Sequence, residues 1–202
     1  MNLVPVTKYF YPHRILDIGA NIGQFHQIAK ALFPDSYIFS IEASAACEPA
    51  LQKITDQYLI GLLAKDDSVY NYYTRKDTDT CTGNSIYREL TEWFSDSNLK
   101  VVPKQGIRLD DLFSDDSEFD LIKIDTQGSE LDIISGGRNL CGKAKGILLE
   151  VSLTQYNENS PLISEVHEFM QNFGYMPKEI LGESRNMKTG EIFQHDILYI
   201  KR

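Results

Sequence analysis

Short apolar runs alternate with stretches in which apolar residues recur every three or four positions, and the alternation begins early. Arg14-Ile15-Leu16-Asp17-Ile18 reads as a buried strand running into a turn at Gly19. Beyond it Ile22, Phe25, Ala29, Leu32 and Phe33 share helical spacing. Asn21 is placed to cap that helix, with Gln24 three residues on, and Pro34 ends it. Tyr37-Ile38-Phe39-Ser40-Ile41 predicts the next buried strand, which ends in Glu42. A short helix near Pro49 then leads to a third apolar run, Tyr58-Leu59-Ile60-Gly61-Leu62-Leu63. Strands alternating with helices argue for a parallel sheet with right-handed crossovers.

The middle of the chain breaks this rhythm. Residues 69–74 read as a strand, whereas Thr78-Asp79-Thr80-Cys81-Thr82-Gly83-Asn84-Ser85 is polar and turn-rich. Ile86, Leu90, Trp93 and Phe94 have helical spacing, with a hairpin as the competing reading. The irregular stretch 66–108 is therefore read as an insertion that serves as lid and substrate wall. Tyr70, Tyr72, Tyr73 and Tyr87 bracket it, and aromatic faces with hydroxyl tips suit sugar binding as well as sheet packing.

Regular alternation returns with a strand over 119–125, a helix carrying Leu131, Ile133 and Ile134, and a strand over 146–151. Pro161 is taken as the first position of a helix over 161–173, with Gly174 past its end and Leu162, Val166, Phe169, Met170 and Phe173 on one face. Residues 179–181 and 197–200 close the chain as an antiparallel pair around Gly190.

Composition narrows the classes. At 202 residues and 42% hydrophobic content, one core and one domain over 1–202 is the natural reading. A net charge of -9 disfavours a nucleic-acid partner, which would demand clustered Lys and Arg. No run approaches the length of a membrane span and the start does not resemble a secretion signal. Cys47, Cys81 and Cys141 are odd in number and widely spaced, so reduced thiols and a cytoplasmic location are expected.

The first turn carries the chemistry. Such a turn is expected to aim unpaired helix N-terminal N–H groups at a ligand, with glycine allowing close approach. Gly19-x-Asn21-x-Gly23 lacks the G-x-G-x-x-G of dinucleotide sites, and the carboxylate of Asp17 suits a cationic amine better than a phosphate. Glu42, at the end of the second strand, is placed to accept both hydroxyls of a ribose. Together these point to S-adenosylmethionine (SAM).

Ile15-Leu16-Asp17-Ile18-Gly19-Ala20-Asn21-Ile22-Gly23, Ile41-Glu42-Ala43, Leu109-Asp110, Ile122-Lys123-Ile124-Asp125-Thr126-Gln127-Gly128-Ser129-Glu130 and Leu149-Glu150-Val151 follow one another in order. In these motifs the chain resembles FkbM-type methyltransferases. The resemblance implies an α/β class I (Rossmann-like) doubly wound sheet of seven strands, the last antiparallel. It also implies SAM and, usually, methyl transfer to a hydroxyl of a sugar or natural product. By that similarity Asp17, Gly19, Ala20, Asn21 and Gly23 line the methionine end, Gln24 and Phe25 shape the pocket, and Glu42 with Ala43 holds the ribose. Leu63 and Ala64 border adenine, with Asp66 a weaker candidate for its amine, and Ser85 matches a short polar element of the family.

Methyl transfer needs in-line geometry and removal of the acceptor's proton. Asp125, at the end of a strand beside the cleft, is the first choice for base or substrate orienter, and Glu130 and Glu150 are candidates to converge with it. The three carboxylates alternatively suit a divalent cation, or merely cap a turn, favour a helix start and pair with Lys123. His26 is expected to face solvent, with a role as base the alternative; His195, just before the last strand, carries the same two readings, and His13 and His167 are expected to be structural or exposed. Ser85 and Tyr87 are the candidate substrate contacts. An N-methyltransferase and a non-catalytic SAM-binding module are the alternatives, and a nicotinamide-dependent oxidoreductase is disfavoured.

Overall fold

The computed structural model describes residues 1–78 and 82–202; Cys81 lies outside the described residues. The chain opens with a 3-10 turn, Val4–Lys8, and then runs β1 (Arg14–Ile18), α1 (Gln24–Leu32), β2 (Tyr37–Glu42), α2 (Glu48–Leu51), β3 (Tyr58–Ile60), β4 (Leu62–Ala64), β5 (Val69–Arg75) and β6 (Leu99–Arg108). It continues with α3 (Leu109–Leu112), β7 (Leu121–Ile124), α4 (Glu130–Gly136), α5 (Arg138–Cys141), β8 (Gly146–Ser152), α6 (Ile163–Asn172), β9 (Tyr175–Arg185) and β10 (Ile192–Lys201).

The main sheet has seven strands in the order β3-β2-β1-β7-β8-β10-β9. Pairings among β3, β2, β1, β7 and β8 are parallel, and β10 lies antiparallel between β8 and β9. The expected class I arrangement is therefore present, with the last strand as the inserted antiparallel one. Its central strands β1, β7 and β8 are buried on both faces, which is why they read as continuous apolar runs. Along β1 and β7, Leu16, Ile18, Ile122 and Ile124 pack with Ile133 and Ile134 of α4 and Val166 and Met170 of α6. The alternate positions Ile15 and Leu121 pack with Phe25 and Ala29 of α1, Phe33, and Leu3 and Val6 of the first turn. Order reverses between β1 and β7, so a crevice opens at the carboxyl ends of these two strands.

The third apolar run is two strands. Gly61 interrupts it: β3 pairs with β2 in the main sheet, and β4 pairs with β6 in a second sheet of order β4-β6-β5. A Cβ at Gly61 would lie 2.8 Å from Ile107 Cδ1, so the absence of a side chain leaves room for Ile107 where the chain changes sheets. The stretch 66–108 is accordingly less irregular than expected, since β5 and β6 form an antiparallel hairpin within it. No helix joins Ile86 to Phe94; only Glu92–Phe94 forms a 3-10 turn. Segment 82–90 is pinned across the sheet's carboxyl edge by Ser85 Oγ donating to Thr126 O at 2.9 Å and Asn157 Nδ2 donating to Tyr87 O at 3.0 Å. Pro161 precedes α6, whose capping position is Leu162. Among the described residues no helix is long and apolar enough to cross a membrane.

Candidate functional site

The β1–α1 turn is a closed hydrogen-bonding unit. Gly19 N and Ala20 N both donate to Ile41 O, at 2.9 and 3.1 Å, and Gly23 N donates to Ala20 O at 2.8 Å. Asn21 N donates to Glu42 Oε2 at 2.7 Å and Ile22 N to Asn21 Oδ1 at 2.8 Å. Five consecutive N–H groups are thus satisfied by the protein, so the expected row of ligand-facing amides across this turn is absent. A pyrophosphate, which needs such a row, does not fit here. The glycines serve packing rather than ligand approach. Gly19 has φ +74° and a Cβ there would lie 1.9 Å from Asp125 O; Gly23 has φ +88° and its Cβ would meet Ile54 Cδ1 at 2.5 Å. Asn21, expected to cap α1, instead adopts φ 48° and bonds its own neighbour, while Gly23 occupies the capping position without a side-chain bond.

Beside this turn lies a cavity of about 420 Å³, within the range of small-molecule sites. Gly19, Ala20, Asn21, Gln24, Phe25, Glu42, Ala43 and Leu63 form its walls on the β1–β4 side, and Asp125, Glu150 and Ser85 border it on the other. The structure therefore brings these predicted residues together. It holds Gly23, Ala64, Asp66, Glu130 and Tyr87 off the cavity walls. Ala64 is packed against α4, where its carbonyl would sit 2.3 Å from a Cβ at Gly136. Asp66 accepts from Ser68 N and Tyr70 OH, and Tyr87 OH donates to Asp132 at 2.7 Å.

Asp17 corrects the sequence reading most sharply. Expected to face a cationic amine, it is fully buried and faces Lys123, whose Nζ stands 3.2 Å from its Oδ1. Asp17 and Lys123 are register partners on the adjacent parallel strands β1 and β7. The same ammonium donates to Ile18 O at 3.2 Å and Gly19 O at 2.8 Å, and lies 3.7 Å from Asp125 Oδ2. Burial opposes its charge, but Asp17 and Asp125 hold its pKa above the ordinary lysine value. Burial raises the carboxyl of Asp17 against the pull of Lys123. Lys123 thus ties the end of β1 to Asp125.

Glu42 accepts from Asn21 N at Oε2 and from Ser44 N at Oε1, both at 2.7 Å, and its carboxyl borders the cavity. Burial raises its pKa, with the N–H groups of Ser44, Asn21 and Ala43 and the charge of Lys123 opposing.

The remaining carboxylates separate. Glu130 turns into its own loop, where Oε1 accepts from Thr126 N at 2.9 Å and Gly128 N at 3.2 Å; burial pushes its pKa up to about 7. It organises the turn after β7 and does not converge with Asp125 at the cavity. Glu150 does converge. Gln127 Nε2 donates to Asp125 Oδ1 at 3.2 Å and to Glu150 Oε2, and so bridges the two carboxyls. Burial, then the charges of Asp125, Glu130 and Asp196, raise Glu150 well above the carboxylate range. Asp196 faces Glu150 directly across the β8–β10 ladder, and burial followed by Asp125 pushes it up to about 6. Among the described residues no group of three or more His, Cys, Asp or Glu side chains is arranged to hold a metal ion.

His26, expected at the surface, is buried with Nδ1 3.1 Å from Ser40 Oγ, and burial lowers its pKa. His195 sits within β10 rather than before it. His167 Nδ1 bonds Tyr199 OH at 2.6 Å.

Cavity residues missed in the sequence include Lys123, Gln127, Tyr156, Ser184, Phe193 and Gln194. Gln127 left a trace, because it stands in the Thr126-Gln127-Gly128 turn, where φ is 58° at Gln127 and 104° at Gly128. The last four carry no local signal; Ser184, Phe193 and Gln194 reach the cavity through the pairing of β10 with β8 and β9, and Tyr156 from the loop after β8.

The strand order, the satisfied turn and the acid at the end of β2 define a class I methyltransferase fold. The methyltransferase FkbM domain model matches residues 17–177, and the chain belongs to that family. Among solved structures it is similar to the FkbM methyltransferase of Methylobacillus flagellatus, at 16% identity and a TM-score of 0.55 over 93% of this chain and 43% of that one. It spans less than half of that relative. It is likewise similar to magnesium protoporphyrin IX methyltransferase of Synechocystis, solved with SAM bound, at 9% identity and a TM-score of 0.52 over 93% of this chain and 69% of that one. No curated protein matches the chain.

Proposed function

We propose that the protein binds SAM between the β1–α1 turn and Glu42 and transfers its methyl group to a hydroxyl of a sugar or natural-product acceptor. The observation that carries this reading is one cavity bordered by a diol-accepting acid at one end and by the Asp125–Glu150 pair at the other. A turn with its amides satisfied suits a cofactor without phosphates, and the cavity volume suits a nucleoside of this size.

In this reading Glu42 accepts the two ribose hydroxyls, and Leu62 and Leu63 border the adenine through apolar contact. Bound SAM supplies a methyl group whose carbon exchanges its bond to sulfur for a bond to the acceptor oxygen. Asp125 receives the hydroxyl proton as that bond forms. Gln127 fixes the orientation of the Asp125 carboxyl, and Lys123 holds its second oxygen from behind.

The test is release of S-adenosylhomocysteine from SAM in the presence of a panel of sugar and polyketide alcohols. Asp125→Asn is expected to lower turnover by about 10²–10⁴-fold, the usual contribution of a general base. Unchanged turnover in that variant removes the proposed role of Asp125, and release only with amine acceptors makes the enzyme an N-methyltransferase.

A further inference from the structure

A second cavity, of about 280 Å³, lies between the β5–β6 hairpin and the loop after β2. Ser44 borders it from the loop, and Tyr72, Thr74, Lys100, Val102 and Lys104 from the hairpin. The strand register builds this wall. Val102 lies opposite Tyr72 and Lys100 opposite Thr74, and alternate positions of β6 put Lys100, Val102 and Lys104 on one face. Among the described residues of the wall there are two lysines and no Asp or Glu, in a chain of net charge -9.

Two groups of this wall are not answered by the protein. Lys104 is half-buried, and burial lowers its pKa against the pull of Glu42. Its ammonium donates to Ala43 O and stands 4.7 Å from the centroid of the Tyr72 ring, yet no carboxylate among the described residues is close enough to form an ion pair with it. Thr74 is only 6% exposed, and its hydroxyl makes no hydrogen bond to a described residue. Keeping a cation and a hydroxyl from water without partners costs free energy, and an oxyanion would satisfy both with charge-assisted hydrogen bonds.

We propose that this second cavity is a phosphate-binding site, in which the ammonium groups of Lys104 and Lys100 and the hydroxyl of Thr74 hold the phosphate oxygens and Val102 meets any carbon arm attached to them. A phosphate monoester carries about -1.5 to -2 charge at pH 7 and presents three strong acceptor oxygens, which match a wall of donors and two cations. A carboxylate brings one charge to two ammonium groups, and a nucleic acid needs a longer row of cations than these two. The inference does not rest on the methyl-transfer reading. The site adjoins the main cavity, since Tyr72 borders both and Lys104 donates to the carbonyl of the residue after Glu42.

The test titrates the full, nitrogen-15-labelled chain with inorganic phosphate, phenyl phosphate and, as the uncharged control, phenol, at constant ionic strength so that general screening does not change. The expected result is saturable movement of the backbone amide signals of Ser44, Thr74, Lys100 and Lys104 with a phosphate and not with phenol. Tighter binding of phenyl phosphate identifies an organic phosphate as the occupant and equal binding identifies free phosphate; either supports the site. Lys104→Met is expected to weaken binding about tenfold and Thr74→Val about threefold, the loss of a charge-assisted and of an ordinary hydrogen bond. Lys104→Arg, which keeps the charge, should stay within about threefold of wild type. The dispersion of each variant's amide spectrum shows that it is folded. No saturable movement with either phosphate, phenol binding as tightly as phenyl phosphate, movement confined to other residues, or wild-type affinity in both Lys104→Met and Thr74→Val overturns the proposal. No cofactor is present in this titration, so its failure leaves the methyl-transfer reading standing.

Discussion

Replacing Lys123 with Met removes one charge from the buried seam between β1 and β7 at little change in volume. The ammonium lies 3.2 Å from Asp17 Oδ1 and donates to two backbone carbonyls, and neither Lys123 nor Asp17 has water to fall back on. Removing one member of such a pair typically destabilises by about 3–5 kcal/mol, because the other charge is left uncompensated. Asp17 can limit the loss by taking a proton. Starting from its ordinary pKa of 3.8, this costs about 4 kcal/mol at pH 7, at about 1.4 kcal/mol per unit. The two routes agree, so Lys123→Met is expected to lose about 4 kcal/mol at pH 7. Since a raised carboxyl pKa destabilises only above the unfolded value, the loss should shrink as pH falls toward 4. Asp17→Asn added to Lys123→Met removes the stranded charge and should recover about 2 kcal/mol. Urea unfolding followed by circular dichroism at pH 7 and pH 4 measures all three variants. A Lys123→Met variant within 1 kcal/mol of wild type, or a double variant no more stable than the single, refutes the assignment of Asp17 and Lys123 as a structural ion pair.

Gly19→Ala combines a left-handed φ, worth about 1–2 kcal/mol, with a Cβ 1.9 Å from Asp125 O, where overpacking adds about 1–3 kcal/mol. Gly174→Ala, at φ +95° with nothing within 4 Å, should lose only the conformational share; equal urea midpoints for the two variants would contradict the packing argument. Glu130 has its folded pKa raised from 4.5 to about 7, so its contribution is fully present below 4.5 and is lost as pH rises through 7. Glu150 and Asp196 act in the same direction. Stability is therefore expected to fall between pH 4.5 and 7, and Glu130→Gln, which keeps the acceptor oxygen, should flatten that slope; a slope unchanged by the substitution rules Glu130 out as its source.

The parallel core was legible because its strands are covered on both sides. Residues 15–18, 37–41, 119–125 and 146–151 stand out as apolar runs, and the acids at 42, 125 and 150 mark their carboxyl ends. β6 was not legible, since Lys100, Pro103, Lys104 and Gly106 interrupt a strand whose burial is shallow and whose partners are β4 and β5. The run 58–63 concealed a change of sheet at Gly61, where apolar character continues although the partner does not. His26 read as a surface residue because the width of the buried face of α1 depends on Ser40 beneath it, which local spacing does not reveal. Within the site, the turn's sequence identified the right place but not its use: its amides bond to Ile41, Glu42 and the turn itself. The far wall was invisible for a different reason. Phe193 and Gln194 owe their position to an antiparallel register in which Gln194 lies opposite Ser152, Tyr156 stacks on Phe193 from the loop after β8, and no single segment encodes that.

Calorimetric titration of the full chain with S-adenosylhomocysteine, beside Glu42→Ala, tests the central claim most directly. The account predicts one site in the wild type and an affinity about 10–100-fold weaker in the variant, the loss of hydrogen bonds from a diol to a charged acceptor worth about 1.5–3 kcal/mol. No heat with the wild type, or an affinity that Glu42→Ala leaves unchanged, would contradict it.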